Sequence, residues 1–112
     1  MRLMAKVKKG GTSFARCIIY ASDSGVYVFP CETDEDGSAV GDDWYQSLED
    51  AFQACEDEFG IERTDWEDIG DPLPGCQHDW IAPVRVIGGQ WGKFERLIDG
   101  TWVRFIPKRR SK

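Results

Sequence analysis

The segment from Cys76 to Asp79 holds the side chains in this sequence whose types and spacing come nearest to a reactive centre. Cys76 lies two residues before His78, the only histidine, and Asp79 follows directly. A thiolate beside an imidazole is used in nucleophilic catalysis, and both groups are ligands for zinc. Catalytic cysteine and histidine residues usually meet from distant segments, however, and zinc sites usually present their ligands in two pairs. Cys76 and His78 therefore remain an alternative site, for a small thiol- or metal-dependent enzyme, and the sequence assigns no metal and no cofactor.

The distribution of charge along the chain is a stronger indication of function than the segment from Cys76 to Asp79. The chain has 112 residues and a net charge of −6, but residues 23–71 contain seventeen acidic residues and one basic residue, a local charge of −16. Residues 1–22 contain five basic residues and no acidic one. A dense acidic segment attracts basic protein surfaces and speeds their association. The sequence therefore favours a non-enzymatic interaction protein that meets a basic protein partner through an acidic face, formed by residues 32–71.

The residues expected to contact this partner are exposed carboxylates of the acidic segment, together with one tryptophan that lies among them and should be partly exposed. Small acidic proteins that neutralise basic toxins or nucleases resemble this chain in size and charge, and the resemblance implies an inhibitor- or immunity-like role. The candidate partner-binding residues are Asp34, Glu35, Asp36, Asp42, Asp43, Trp44, Glu56, Asp57 and Glu62.

Basic residues near the end of the chain leave a third hypothesis open. Lys93, Arg96 and the basic tail, residues 108–112, are able to contact phosphates, and tryptophans can stack on bases. The acidic net charge and the lack of a recognised nucleic-acid-binding motif argue against nucleic acid as the partner. A nucleic-acid accessory protein is thus the weaker alternative.

Composition also bears on the compartment. No uncharged apolar run reaches the ~18 residues that cross a bilayer, and basic residues interrupt the first ten positions, where a signal peptide would need an apolar core. The sequence predicts a cytoplasmic protein without membrane association, and leaves its oligomeric state open. In a reducing compartment, cysteines are expected as buried free thiols. The four are Cys17, Cys31, Cys55 and Cys76.

Apolar periodicity predicts the elements that position these residues in the first half of the chain. Alternation over residues 3–7, followed by apolar runs at 14–21 and 26–31 and separated by glycine-containing turns, predicts a three-stranded antiparallel meander. Residues 32–43 are acidic and carry little to bury, which indicates a loop. Ser47 and Gly60 fit the two caps of a helix over residues 47–59. Its expected buried stripe contains Leu48, Ala51, Phe52, Cys55 and Phe59.

The second half of the chain reads as further strands. Residues 64–69 and 80–87 are predicted strands, the second one limited by Pro83. Asp99-Gly100 predicts a tight hairpin between residues 93–98 and 101–106, which sets Phe94 opposite Phe105, Glu95 opposite Arg104 and Leu97 opposite Trp102. The expected fold is one α+β domain over residues 1–107, a mainly antiparallel sheet of about six or seven strands with one principal helix packed on it.

Overall fold

Eight strands, one α-helix and one short 3-10 helix make up the described part of the chain. The structure is a computed structural model, and it describes residues 1–87 and 93–106. The strands are β1 (Arg2–Lys6), β2 (Arg16–Ser22), β3 (Gly25–Cys31), β4 (Asp43–Tyr45), β5 (Glu67–Asp68), β6 (Val84–Ile87), β7 (Lys93–Ile98) and β8 (Thr101–Phe105). The helix α1 spans Leu48–Phe59, and the 3-10 helix spans Arg63–Asp65.

The α+β class and the antiparallel pairing are confirmed, and the strands divide between two sheets. The first sheet has the order β4-β3-β2-β1-β5, so that β4 and β5 form its edges, and the second has the order β6-β7-β8. All pairings are antiparallel. The basic tail, residues 108–112, lies outside the described residues.

The predicted meander of β1, β2 and β3 is present, and both of its faces are buried. Ile19 lies opposite Leu3 and Val28 on the face that α1 covers, whereas Ile18 points to the other face. Ile18 and Ile19 are both fully buried. Because successive strand residues point to opposite faces, the sheet must have a cover on each side.

Helix α1 covers the first face and has the predicted caps. The Ser47 hydroxyl accepts a hydrogen bond from the Asp50 N–H at 3.1 Å, and Gly60 ends the helix with a φ of +68°. Ala51, Cys55 and Phe59 form the buried stripe, while Leu48 and Phe52 are half-buried at its margin. The predicted helix is therefore confirmed, with a stripe that is narrower than expected.

Strand β4 was not predicted: its first residue, Asp43, lies at the end of the expected loop over residues 32–43, and the other two lie between that loop and the helix. Only Tyr45 of its three residues is half-buried, so periodicity gave no signal for it. Its stabilisation comes from pairing with β3, where Trp44 lies opposite Tyr27. The Trp44 indole covers Gly25, which has a φ of +141°, and a Cβ at Gly25 would overlap that ring.

The second sheet contains the predicted hairpin in the predicted register. Phe94 lies opposite Phe105, Glu95 opposite Arg104 and Leu97 opposite Trp102. Asp99 and Gly100 have φ values of +49° and +79°, as a two-residue turn of this hand requires. Strands β5 and β6 are shorter than the predicted strands 64–69 and 80–87, since only residues 67–68 and 84–87 have a partner strand.

Two buried arginines hold loops over the face of the first sheet that lies opposite α1. The Arg16 guanidinium donates to the carbonyls of Thr33 at 3.0 Å and Glu35 at 2.9 Å. The Arg2 guanidinium donates to the carbonyl of Gly70 at 2.9 Å and to that of His78 at 3.1 Å. Each arginine thereby fixes one loop, over residues 33–35 and 70–78, and burial lowers the pKa of Arg2.

Candidate functional site

The nine residues expected to contact a partner are all exposed, and the fold places them in three regions. Asp34, Glu35 and Asp36 lie in the loop that Arg16 holds. Asp36 has a structural contact, because its carboxylate accepts hydrogen bonds from the N–H groups of Ile81 and Ala82 at 2.7 and 2.8 Å. This loop lies on the side of the sheet opposite α1.

A second region surrounds the solvent side of α1, and we call it the acidic helix surface. Asp43, on β4, lies opposite Val28 and therefore on the same side of the sheet as the helix. Strand β4 contacts α1, and burial, followed by the charges of Asp43 and Glu58, raises the pKa of the Tyr45 phenol. The acidic helix surface consists of Asp43, Asp50, Glu56, Asp57 and Glu58, and Glu62 follows it closely in sequence.

Basic side chains do not neutralise this surface within residues 1–87 and 93–106. The salt bridges of the acidic segment join Arg63 to Glu49, Lys8 to Asp65 and the Met1 amino group to Asp71. The first of them reaches α1, because Glu49 lies in its first turn, but none includes Asp43, Asp50 or the carboxylates of the last turn. The Lys9 ammonium approaches it, but donates at 3.0 Å to the backbone carbonyl of Asp57.

The end of α1 is an unfavourable place for these charges. Glu56, Asp57 and Glu58 occupy its last turn, which contains no basic residue. The carboxyl end of a helix carries a partial negative charge, so that carboxylates there are repelled by the backbone dipole as well as by one another. Sequence reasoning singled out Glu56 and Asp57 but not Glu58, which completes the run.

The third region contains Asp42 and borders an aromatic groove on the sheet face opposite α1. The groove has a volume of about 410 Å³, within the range of about 300–1,000 Å³ typical of ligand pockets. Trp44 lies beside it on the same face, opposite Tyr27, and is 54 % exposed. The groove is lined by Tyr20, Ser22, Ser24, Tyr27, Phe29, Asp42 and His78.

The groove was not predicted, although part of its signal is in the sequence. Tyr20 of β2 lies opposite Tyr27 of β3, and Phe29 follows two residues later on the same face. A correct register for the meander therefore brings the three rings together. The position of His78 depends on the Arg2 guanidinium, and no local pattern indicates that contact.

Cys76 and His78 line different cavities. Cys76 is buried and borders a cavity of about 210 Å³ together with Arg2 and Trp80. His78 is exposed, stacks on Tyr20 with ring centroids 4.0 Å apart, and lines the aromatic groove. Within the described ranges, no group of three or more histidine, cysteine, aspartate or glutamate side chains is arranged to hold a metal ion.

The cysteines are unpaired and lie inside the protein. A hydrogen bond with Cys55 and burial raise the pKa of the Cys17 thiol, and burial raises that of Cys31 to about 11. At neutral pH these groups are therefore neutral thiols, which are poor nucleophiles compared with thiolates. Cys17 packs as a small apolar side chain between α1 and the first sheet, whereas Cys31 lies opposite Arg16 on the other face of that sheet.

Comparisons with protein-family models, with curated proteins and with solved structures give no match to this chain. Among the described residues, no helix has the length and apolar character needed to cross a membrane.

Proposed function

We propose that this protein is a non-enzymatic interaction module that binds a basic protein partner through the acidic helix surface, in the manner of an inhibitor or immunity protein. The observation that carries the proposal is the run of Glu56, Asp57 and Glu58 at the carboxyl end of α1. Such charges oppose folding, and a cation from a partner would relieve both the dipole and the mutual repulsion. Binding would thus satisfy charges that the fold leaves unsatisfied.

The contacts of the basic residues in residues 1–22 support the same proposal. Of the five basic residues in residues 1–22, Arg2 and Arg16 are buried and bound to backbone carbonyls. Lys8 pairs with Asp65, and Lys9 contacts a helix carbonyl. Four of the five amino-terminal basic residues are therefore engaged within the fold, whereas Lys6 and the acidic helix surface are exposed to solvent.

The unpaired, buried cysteines support a reducing location such as the cytoplasm, which belongs to the proposal. The thiol- or metal-dependent enzyme and the nucleic-acid accessory protein remain alternatives, and no described contact favours them over a protein partner.

The test begins with capture of the partner from an extract of the native host. The bait is the unaltered protein, compared with a variant carrying Glu56→Gln, Asp57→Asn and Glu58→Gln, and bound proteins are identified by mass spectrometry. Association rates with the purified partner are then measured across a salt series. The substitutions should slow association by about tenfold at low salt and flatten its salt dependence, since electrostatic steering raises association rates by about 10 to 10³.

A matched variant changes the same number of charges elsewhere. Asp23→Asn, Glu67→Gln and Asp99→Asn lie at exposed positions outside the acidic helix surface and outside the candidate partner-binding residues. This control should associate within about twofold of the unaltered protein, because exposed charges farther than a Debye length of ~8 Å are largely screened at physiological salt. Equal rates for both triple variants would contradict the proposal, as would a partner whose interacting surface is acidic.

A further inference from the structure

The aromatic groove presents ring faces from two strands and one loop. Tyr27 and Phe29 lie with their ring planes 11° apart and their centroids 6.2 Å apart. Tyr20 and His78 stack at 4.0 Å with an angle of 25°. Because Arg2 is buried and donates to the His78 carbonyl, the loop that carries His78 is anchored to the sheet. These rings therefore form a supported surface rather than a set of independent side chains.

The polar side chains that the structure describes along the groove include a carboxylate and two serine hydroxyls but no arginine or lysine. Asp42 is its one carboxylate, is exposed, and has no hydrogen bond or salt bridge to another residue within 1–87 and 93–106. The Ser22 and Ser24 hydroxyls lie 3.1 Å apart on the same lining. Aromatic faces are also electron-rich, so that the groove favours a positively charged group over a negative one.

We propose that the aromatic groove binds the guanidinium group of an arginine side chain from the basic partner, an inference that rests on the proposed function. A planar guanidinium can stack on the rings of Tyr27 and Phe29 while its N–H groups donate to the Asp42 carboxylate. The serine hydroxyls offer further acceptors. A lysine ammonium lacks the planar stacking surface and is more strongly hydrated, so it satisfies this arrangement less well.

Among the described residues, an arginine guanidinium lies over an aromatic ring at three other places. The guanidinium carbon of Arg85 lies 3.9 Å from the ring centroid of Trp102, and that of Arg96 lies 4.2 Å from the centroid of Phe105. Arg63 lies over Phe52 at 5.3 Å. In the described part of the chain no arginine side chain lines the aromatic groove, so its rings and Asp42 remain open to an external arginine.

The probe for this inference is the peptide acetyl-Gly-Arg-Gly-amide, titrated into the isotopically labelled protein and followed by NMR. Peptides with lysine or with neutral citrulline in place of arginine are titrated in parallel. The arginine peptide should shift the signals of the aromatic groove and bind about fivefold more tightly than the citrulline peptide. That ratio is the upper range for one exposed ion pair or one exposed cation–ring contact.

Two variants locate the binding, and a third serves as the control. Asp42→Asn removes the charge and Tyr27→Leu removes one ring face, and each should weaken arginine-peptide binding by about threefold or more. Glu67→Gln changes an exposed carboxylate on β5, outside the groove, and should leave arginine-peptide binding unchanged. Asp42 is exposed, so its variant should keep the folded spectrum even if that of Tyr27→Leu does not.

The outcomes separate this inference from the proposed function. Equal affinities for the arginine and citrulline peptides, or unchanged binding by Asp42→Asn, would overturn the arginine assignment. A neutral sugar such as methyl β-glucoside that shifts the groove signals while the arginine peptide does not would overturn it in favour of a carbohydrate. In either case the salt-dependent association through the acidic helix surface would still stand or fall by its own variants.

Discussion

Neutralising the last turn of α1 should stabilise the protein, and this expectation tests the electrostatic reasoning without any partner. The perturbation is the triple change Glu56→Gln, Asp57→Asn and Glu58→Gln, which keeps side-chain size. Asn at residue 57 also keeps an acceptor for Gln53, whose amide donates to the Asp57 carboxylate at 3.1 Å. The packing of α1 is preserved, because the three residues are exposed.

The magnitude follows from the position of the charges. A charge in the last turn of an exposed helix interacts with the dipole by about 0.3–1 kcal/mol. The three residues are solvent-exposed, and the Lys9 ammonium at the Asp57 carbonyl already offsets part of the repulsion, so the lower end applies. The triple variant should therefore gain about 1 kcal/mol in the free energy of unfolding, which corresponds to about 4 °C in Tm for a domain of this size.

The assay is urea unfolding at low salt and at 0.5 M salt. The gain should shrink at high salt, because screening weakens the dipole interaction. Asp50→Asn is a control for which the free energy of unfolding should change in the opposite direction. Asp50 lies in the first turn of α1, where a negative charge is favourable, so loss of this charge should lower the free energy of unfolding by about 0.5 kcal/mol. If the triple variant is less stable than the unaltered protein, or if both changes have the same sign, the reasoning is refuted.

Four further predictions concern the carboxyl-terminal cap of α1, the loop that Arg2 holds and the thiols. Gly60→Ala should lower the free energy of unfolding by about 1–2 kcal/mol in the same urea assay. Gly60 has a φ of +68°, and a Cβ at this position would lie 3.2 Å from the backbone nitrogen of Lys9. Arg2→Met should lower the free energy of unfolding by about 3 kcal/mol, because it removes the donor to the buried Trp80 carbonyl and to the partly buried carbonyls of Gly70 and His78. It should also shift the NMR signals of His78, and unchanged signals would contradict the anchoring role. The four thiols should react slowly with a chromogenic disulfide reagent in the native protein, because they are buried. After unfolding they should release four equivalents of the coloured thiol per chain. A yield two equivalents lower would show that two cysteines form a disulfide. Because burial raises the pKa of Cys31 to about 11 from an unfolded value near 9, this thiol stabilises the fold fully below pH 9, and that contribution should fall as the pH rises toward 11.

The parts of the fold that could be predicted are those determined by local contacts. Helix α1 follows from apolar spacing between a serine and a glycine cap, and the hairpin register follows from Asp99-Gly100. In both cases the residues that determine the structure are close in sequence to the contacts that they specify. Local signals of this kind carry no information on whether the strands form one sheet or two.

The parts that could not be predicted depend on contacts between distant residues. Strand β4 exists because β3 pairs with it, and its own three residues show no apolar pattern. Arginine is seldom fully buried unless its guanidinium is paired, and Arg2 and Arg16 are buried because loops distant in sequence supply carbonyls to them. The aromatic groove combines both effects, since β2 and β3 provide its rings and the Arg2-anchored loop provides His78.

The short edges of the first sheet have a consequence for colloidal behaviour. An exposed edge strand is a template onto which a strand of another molecule can add, and charged side chains are one of the devices that prevent such addition. At one edge, β4 has three residues and includes Asp43; at the other, β5 consists of Glu67 and Asp68 alone. At neutral pH an incoming strand would meet carboxylates at both edges, with few backbone hydrogen bonds to gain. The acidic residues of β4 and β5 therefore hinder the growth of this sheet into an intermolecular one, whether or not a partner is bound.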